Sequence, residues 1–250
     1  MTLLSYRIEG QGSPLVLFHG WGVTFPIWQN LAPLLTPYYT LIMPELPGNG
    51  KSPLPPAGTN YYQACAQAVE NLRVELQIEK WAVLGYSLGA WGAWWYANLY
   101  PEQVDRTILV CPAILKSASA CGLDLIARLD TTWPAFGNWL LSDWRILRLV
   151  QILGFNGRPH PYADLWASNI ASQPVQITKL CLYDLLKTRH QAFTLPDLPA
   201  VFIWGQQDVL AIAPRRPAER DVLIPGNHSL PMLQAVEEAQ AIRAFYPPTA

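Results

Sequence analysis

Residues Gly85 to Gly89 read GYSLG, a GxSxG motif that can present a serine hydroxyl for nucleophilic chemistry. The apolar run Trp81 to Leu84 precedes the motif, and a helix-like stretch follows it. A serine on a tight turn between a strand and a helix projects its hydroxyl from the carboxyl edge of a sheet. The N–H of Leu88, at the start of the helix, can stabilise a developing oxyanion at the same place. The motif therefore predicts that Ser87 is a nucleophile.

A serine hydroxyl is a poor nucleophile unless a base takes its proton and a third group orients that base. Where a GxSxG motif lies on an alternating strand and helix pattern, the acid and then the histidine follow the serine, each after a late strand. Asp208 follows the apolar run Ala200 to Trp204, and His228 follows Val222 to Ile224. We therefore expect Asp208 and His228 to complete a Ser–His–Asp triad with Ser87.

The other histidines and nearby acids fit these roles less well. His19 ends the first long apolar run and precedes Ser87, which is the wrong order for the base. The HG turn at that strand end is expected to supply a second oxyanion donor, the backbone N–H of Trp21. The remaining candidates are interpreted as solvent-exposed residues, namely His160, His190, Asp184 and Asp197.

Other motifs that could carry chemistry are incomplete. Gly48 to Ser52 ends like a phosphate-binding loop, but Glu45 stands where that motif requires its first glycine. No GxGxxG follows the first strand, and the chain has neither HExxH nor a spaced Cys/His set. We therefore expect no metal site and no required cofactor.

Six short apolar runs alternate with helical stretches along the chain. Their apolarity is continuous, which is typical of strands covered on both faces. This alternation predicts an α/β fold with a doubly wound, mostly parallel sheet. The strand candidates are residues 15–18, 39–43, 81–84, 107–110, 200–204 and 222–224, and the helix candidates are 61–76, 88–100 and 232–245. Three tryptophans of the second helix, Trp91, Trp94 and Trp95, are interpreted as packing residues.

The alternation stops between residues 112 and 195, where the sequence is helical or irregular. We expect residues 112–195 to form a helical cap insertion, and residues 1–111 and 196–250 to form the core. The insertion has eight lysines and arginines against five aspartates, a balance of +3, which is read as a solvated face. Its aromatic residues fit either a binding tunnel or core packing: Trp133, Phe136, Trp139, Trp144, Phe155 and Trp166.

The composition excludes several classes of protein. Hydrophobic residues make up 51% of the 250 residues and charged residues 14%, which excludes an intrinsically disordered chain. The formal net charge of −1 argues against a nucleic-acid partner. An uncharged stretch between Lys80 and Glu102 is long enough to span a bilayer, but the turn at Gly85 to Gly89 divides it into a strand and a helix. No membrane span is expected.

The cysteines and the first residues indicate a cellular compartment. The four cysteines are widely spaced and form no CxxC pair: Cys65, Cys111, Cys121 and Cys181. The first ten residues carry Arg7 and Glu9 and show no export signal. We expect a reduced protein in the cytoplasm.

Five segments resemble the α/β-hydrolase superfamily, in chain order: LVLFHGWG (15–22), ELPGNGKS (45–52), GYSLG (85–89), WGQQD (204–208) and GNH (226–228). The HGWG and LPGNGKS segments look most like the pimeloyl-ACP methyl ester carboxylesterases of biotin synthesis. The resemblance implies an eight-stranded sheet with a helical cap inserted after the sixth strand. In that esterase family the cap also receives the acyl carrier protein, an acidic partner, through basic residues.

The residues predict a serine hydrolase that cleaves a carboxylic ester through an acyl-enzyme. The resemblance implies that its substrate is the methyl ester of pimeloyl-ACP or a similar acyl chain. Three alternatives stay open: a lyase-type synthase of the menaquinone pathway that expels pyruvate, a haloperoxidase or carbon–carbon hydrolase, and a non-catalytic ligand receptor.

Overall fold

A computed structural model describes residues 4–114, 117–155, 157–188 and 194–248, and places seven strands in one sheet. The strands are β1 (Tyr6–Gly10), β2 (Ser13–Phe18), β3 (Tyr39–Pro44), β4 (Trp81–Tyr86), β5 (Val104–Val110), β6 (Ala200–Gly205) and β7 (Asp221–Ile224). Their order across the sheet is β1-β3-β2-β4-β5-β6-β7. Every neighbouring pair is parallel except β1 with β3. The predicted mostly parallel α/β sheet is confirmed.

Each of the six predicted apolar runs forms a strand. A strand that is covered on both faces needs apolar side chains on both, so its sequence is continuously apolar. All six residues of β4, for example, are buried. Strand β1 was not predicted, since most of its side chains are exposed and its position depends on antiparallel pairing with β3. The described sheet therefore has seven strands where the resemblance implies eight, with β1 at one edge and no described segment paired on its outer side.

Ten helices are described, and they cover both faces of the sheet. They are α1 (Ala32–Leu35), α2 (Tyr61–Glu75), α3 (Gly89–Leu99), α4 (Ser117–Thr132), α5 (Pro134–Ser142), α6 (Trp144–Gly154), α7 (Pro161–Ala171), α8 (Val175–Thr188), α9 (Leu230–Leu233) and α10 (Ala235–Phe245). The predicted helix over residues 232–245 is interrupted at Gln234, whose φ of −123° and ψ of 35° are not helical. None of the described helices combines the length and the apolar character needed to cross a bilayer.

Helices α4 to α8, here called the helical segment, lie between β5 and β6, and no strand is described there. Its aromatic residues divide into two groups. Phe155 and Trp166 are buried. Four others expose between 40% and 61% of their surface: Trp133, Phe136, Trp139 and Trp144. Core packing therefore explains only the first group.

A buried carboxylate joins the helical segment to the core. The prediction that Asp184 is solvent-exposed is wrong, because this α8 residue is only 1% exposed. Its Oδ2 accepts a hydrogen bond from the N–H of Tyr61 (2.7 Å), the first residue of α2, and its Oδ1 accepts one from Lys187 (2.8 Å). The first N–H groups of a helix have no intrahelical partner, and a carboxylate satisfies both their hydrogen bonding and the helix dipole.

Candidate active site

The turn after β4 holds Ser87 in a strained backbone conformation. Its φ is +53°, in the left-handed region that costs energy for any residue with a Cβ. Glycine is required at both ends of the motif, because a Cβ at either position would collide with neighbouring atoms. A Cβ on Gly89 would lie 2.2 Å from the carbonyl oxygen of Phe18, and one on Gly85 would lie 2.6 Å from the Cα of Ala90. The GxSxG spacing therefore allows the sharp turn that places Ser87 between β4 and α3.

The structure brings the three predicted residues into one hydrogen-bonded chain. The Oγ of Ser87 lies 2.9 Å from Nε2 of His228. The Nδ1 of His228 lies 2.7 Å from Oδ2 of Asp208. All three side chains are buried. A hydroxyl bonded in this way can pass its proton to the imidazole when it attacks an electrophile.

Backbone groups hold Asp208 in place. Its Oδ1 accepts hydrogen bonds from the N–H groups of Leu210 (2.8 Å) and Ala211 (2.9 Å). Burial alone would raise the pKa of Asp208, but the charge and hydrogen bond of His228, with these two N–H groups, hold the pKa below its usual value. Asp208 is therefore a carboxylate at neutral pH, able to orient the imidazole.

The loop that carries His228 is fixed by its neighbours. The hydroxyl of Tyr86, next to Ser87, donates to the carbonyl of His228 (2.9 Å). The N–H of Ser229 donates to Oδ1 of Asn227 (2.9 Å), which closes a local turn. Tyr86 therefore links the loop that carries His228 to the turn that carries Ser87.

The loop after β2 lies against Ser87. A Cβ on Gly20 would lie 3.3 Å from the Cβ of Ser87. Gly20, Trp21 and Leu88 share the lining of a cavity of about 10 Å³, room for about one water molecule. Within the described ranges, the N–H groups of Trp21 and Leu88 have no protein acceptor. Two unpaired donors beside the Ser87 hydroxyl could stabilise an oxyanion.

His19 is buried, and both of its ring nitrogens are hydrogen-bonded to the backbone. Its Nε2 accepts a hydrogen bond from the N–H of Leu46 (2.9 Å), and its Nδ1 donates to the carbonyl of Gly20 (2.8 Å). Burial lowers the pKa of His19 to about 4. The neutral imidazole therefore links the loop after β3 to the loop that carries Trp21.

Glu45 closes the loop that resembles a phosphate site. Its Oε2 accepts a hydrogen bond from the N–H of Lys51 (2.8 Å), and its carboxylate occupies the space next to Gly50, where a Cβ would lie 2.1 Å from Oε1. The Glu45 side chain already accepts the N–H group that a phosphate would need. The loop does not fit a phosphate.

Among the described residues, one cluster has donor atoms that lie close enough together to bind a metal ion. Single donor atoms of Cys111, Asp208 and His228 lie within 4.8 Å of one another. A metal requires the thiolate, yet burial raises the pKa of the Cys111 thiol well above its usual value. The histidine and aspartate are also bonded to each other. The cluster does not fit a metal, and its cysteine was not among the predicted site residues.

The remaining candidates lie outside this site. Asp197 is exposed as predicted. His160 is not a surface residue but half-buried, since its ring stacks on Phe155 at 4.8 Å and its Nδ1 accepts the N–H of Tyr162 (3.2 Å). His190 lies outside the described residues. Trp91 and Trp94 are buried, and Trp95 packs against the core, as expected for packing residues.

The helical segment covers the loop that carries Trp21, the predicted second oxyanion donor. The indole N–H of Trp21 donates to the carbonyl of Thr178 on α8 (3.1 Å). A Cβ on Gly22 would lie 3.0 Å from the side chain of Ile170 on α7. Helices α7 and α8 therefore pack directly on this loop.

Comparisons with known proteins identify the family and the fold. Residues 13–213 match the alpha/beta hydrolase fold family. A pimeloyl-[acyl-carrier protein] methyl ester esterase of Aeromonas salmonicida is 38% identical over 93% of this chain and 92% of that protein. The protein of the same name from Photobacterium profundum is 39% identical over 58% of this chain, which spans about half (50%) of its length.

A solved structure extends the comparison to three dimensions. An esterase from Exiguobacterium antarcticum superposes with a TM-score of 0.77 over 97% of this chain and 94% of that one, at 16% identity. At this identity the likeness is one of fold. The chain therefore belongs to the alpha/beta hydrolase fold family and, within it, is similar to pimeloyl-[acyl-carrier protein] methyl ester esterases.

Proposed function

We propose that this protein is a serine hydrolase that cleaves a carboxylic ester through an acyl-enzyme. The observation that carries the proposal is the continuous hydrogen-bonded chain from Ser87 Oγ through His228 to Asp208. The strained turn at Ser87 and the esterase names of the relatives support it.

The proposed reaction has two steps. In the first, Ser87 Oγ attacks the ester carbonyl while Nε2 of His228 accepts the hydroxyl proton, and Asp208 stabilises the imidazolium. The N–H groups of Leu88 and Trp21 bind the oxyanion, and His228 returns the proton to the departing alcohol. In the second, water attacks the acyl-enzyme with His228 again as the base. The reaction requires no metal and no cofactor.

The substrate we propose is the methyl ester of pimeloyl-ACP or of a similar acyl chain. This proposal rests on the names of the relatives, and it makes an acyl carrier protein the partner. The widely spaced cysteines, which form no CxxC pair, support a location in the cytoplasm. Residues 112–195 would act as the cap that receives that acidic partner. Arg128, Arg145 and Arg158 support this role, because each is exposed and has no ion-pair partner in the described part of the chain.

The first experiment tests the chemistry before the substrate. Wild type and Ser87→Ala are treated with a fluorophosphonate and assayed on nitrophenyl esters of increasing acyl length. We expect labelling and turnover of short to medium esters by wild type, and neither by the variant. Absence of labelling would contradict the proposal and favour a ligand receptor, and labelling without ester turnover would favour the lyase-type reaction.

The second experiment tests the carrier. Purified pimeloyl-ACP methyl ester is compared with the free monomethyl ester of pimelic acid as substrate. A higher kcat/KM on the carrier-linked ester is expected, because only that substrate brings an acidic protein surface to the exposed arginines. Equal kcat/KM values would contradict docking of the carrier while leaving the ester hydrolase assignment in place.

A further inference from the structure

Tyr86, the last residue of β4, directly precedes Ser87 and also contacts His228. Its hydroxyl donates to the main-chain carbonyl of His228 (2.9 Å), and its ring centroid lies 5.5 Å from that of the imidazole. The next residue, Ser87, contacts the imidazole itself, with its Oγ 2.9 Å from Nε2. Two successive residues of one turn therefore hold the histidine, one by its backbone and one by its ring.

The left-handed backbone of Ser87 makes this double contact possible. Successive side chains of an extended strand point to opposite faces of the sheet. With a φ of +53° at Ser87, the chain leaves the extended conformation directly after Tyr86. The side chains of Tyr86 and Ser87 can therefore reach the same histidine.

The ring of Tyr86 is fixed by its packing. The residue is buried, and its ring meets that of Trp28 edge-on, with 6.3 Å between the centroids. On the loop after β2, a Cβ on Gly20 would lie 3.2 Å from two ring carbons of Tyr86. Close packing of this kind restricts the ring to one rotamer, so the hydroxyl stays directed at the carbonyl of His228.

The hydrogen bonds of His228 respond differently to the proposed reaction. In the described part of the chain its partners are Ser87, Asp208 and Tyr86. Once Ser87 Oγ carries the acyl group it has no proton to donate, so its hydrogen bond to Nε2 is lost. Asp208 lies on a different loop, after β6. Among the described residues, the bond from Tyr86 then remains as the hydrogen bond that joins the turn at Ser87 to the histidine.

We propose that Tyr86 is a positioning residue for the second step of ester hydrolysis, whose hydroxyl holds the backbone of His228 beside the acylated Ser87. In that step Nε2 of His228 takes a proton from water while the water oxygen attacks the acyl carbonyl. The imidazolium then gives the proton to Ser87 Oγ as the bond between the acyl carbon and Oγ breaks. The inference rests on the proposed function, because it concerns the same triad.

Replacement of Tyr86 by phenylalanine tests this role, because it removes only the hydroxyl. Deacylation is followed by mass spectrometry as loss of the acyl group from the protein after excess nitrophenyl ester has been removed. The loss of one hydrogen bond should lower the deacylation rate constant of Tyr86→Phe about fivefold. The first step, measured as kcat/KM and as the rate of fluorophosphonate labelling, should stay within about twofold of wild type. Where deacylation limits turnover, KM should therefore fall together with kcat.

A second buried tyrosine provides the matched control. Tyr39 is fully buried, and its hydroxyl donates to the main-chain carbonyl of Tyr246. It begins β3, at the opposite edge of the sheet from Ser87. Tyr39→Phe loses a bond of the same kind and should lower Tm about as much as Tyr86→Phe, without slowing deacylation.

Three results would overturn the proposal. The first is a wild-type deacylation rate in Tyr86→Phe. The second is an equal loss in both steps of the reaction, which would show that the hydroxyl has no particular role once Ser87 is acylated. The third is equal slowing of deacylation in Tyr86→Phe and Tyr39→Phe, which would show that any lost buried hydrogen bond has this effect.

The outcome can be separated from failure of the proposed function. Fluorophosphonate labelling of wild type reports on Ser87 whatever the role of Tyr86. If wild type is labelled and Tyr86→Phe behaves like wild type, only the role of Tyr86 is wrong. If wild type is not labelled, the hydrolase assignment fails first.

Discussion

Tryptophans are buried near Ser87 and exposed on the helical segment. Trp91, on the helix after Ser87, is 2% exposed, and its Nε1 donates to the carbonyl of Ala113 (3.0 Å). Trp133, between α4 and α5, is 61% exposed. Apolar side chains stabilise the fold through burial, whereas exposed aromatic clusters typically serve binding. The same residue type therefore stabilises the core in one region and is available for contact in the other.

The two regions also differ in the side chain that their buried carboxylate contacts. Asp208 and Asp184 both accept backbone N–H groups, but Asp208 contacts His228 whereas Asp184 contacts the side chain of Lys187. A carboxylate bonded to an imidazole can support proton transfer, and one bonded to a lysine beside a helix start supports folding.

The largest expected effect distinguishes these two carboxylates. Asp208→Asn should lower kcat/KM by about four orders of magnitude, because an amide cannot hold the imidazole in the required tautomer. Asp184→Asn should leave kcat/KM within about twofold and lower the free energy of unfolding by about 1 kcal/mol. Ester hydrolysis and urea denaturation measure the two quantities. Similar losses of activity in both variants would remove the distinction.

The two tryptophans provide the next test. Trp91→Ala should cost about 3–5 kcal/mol of unfolding free energy through a cavity in the core. Trp133→Ala should change it by less than about 0.5 kcal/mol, as exposed substitutions usually do. Urea denaturation of both variants checks the contrast. A strongly destabilised Trp133→Ala protein would show that the exposed aromatic side chains also stabilise the fold.

The buried His19 predicts a loss of stability in mild acid. Its pKa of about 4 lies below the ordinary value of 6.5, so the unfolded chain binds the proton more readily. Stability should therefore fall as the pH drops below about 6.5, by about 1 kcal/mol between pH 7.5 and 5.5. His19→Gln keeps an acceptor for Leu46 and cannot titrate, so its Tm should change less across this range. An equal change in both proteins would assign the acid sensitivity to other groups.

The smallest effect concerns the exposed cations. Arg145→Glu on α6 should raise KM for a carrier-linked ester about threefold at low salt, with no change for nitrophenyl esters. Lys80→Glu gives the same change in net charge at the start of β4, at the opposite edge of the sheet from Ser87, and should not alter KM. Equal effects of the two substitutions would indicate a response to net charge alone.

The sequence predicted what depends on neighbours along the chain. The GxSxG motif located the turn at Ser87, and the strand ends located Asp208 and His228, because each signal is local. The six buried strands were identified for the same reason. Strand β1 was missed because its residues are mostly exposed and its place depends on pairing with β3.

Contacts between distant residues were not accessible from the sequence. The burial of Asp184 depends on the N–H of Tyr61, 123 residues away. Asp184 stands in no recognisable local pattern, so only the assembled fold reveals its partner.

The left-handed backbone of Ser87 affects how this protein could be engineered. Glycine adopts a φ of +53° without the steric penalty of a Cβ, so Ser87→Gly would relieve on the order of 1 kcal/mol of strain. The same change removes the hydroxyl that the proposed chemistry requires. Selection for thermal stability alone would therefore favour an inactive protein at this position. A search for thermostable variants of this chain needs a simultaneous screen for ester hydrolysis.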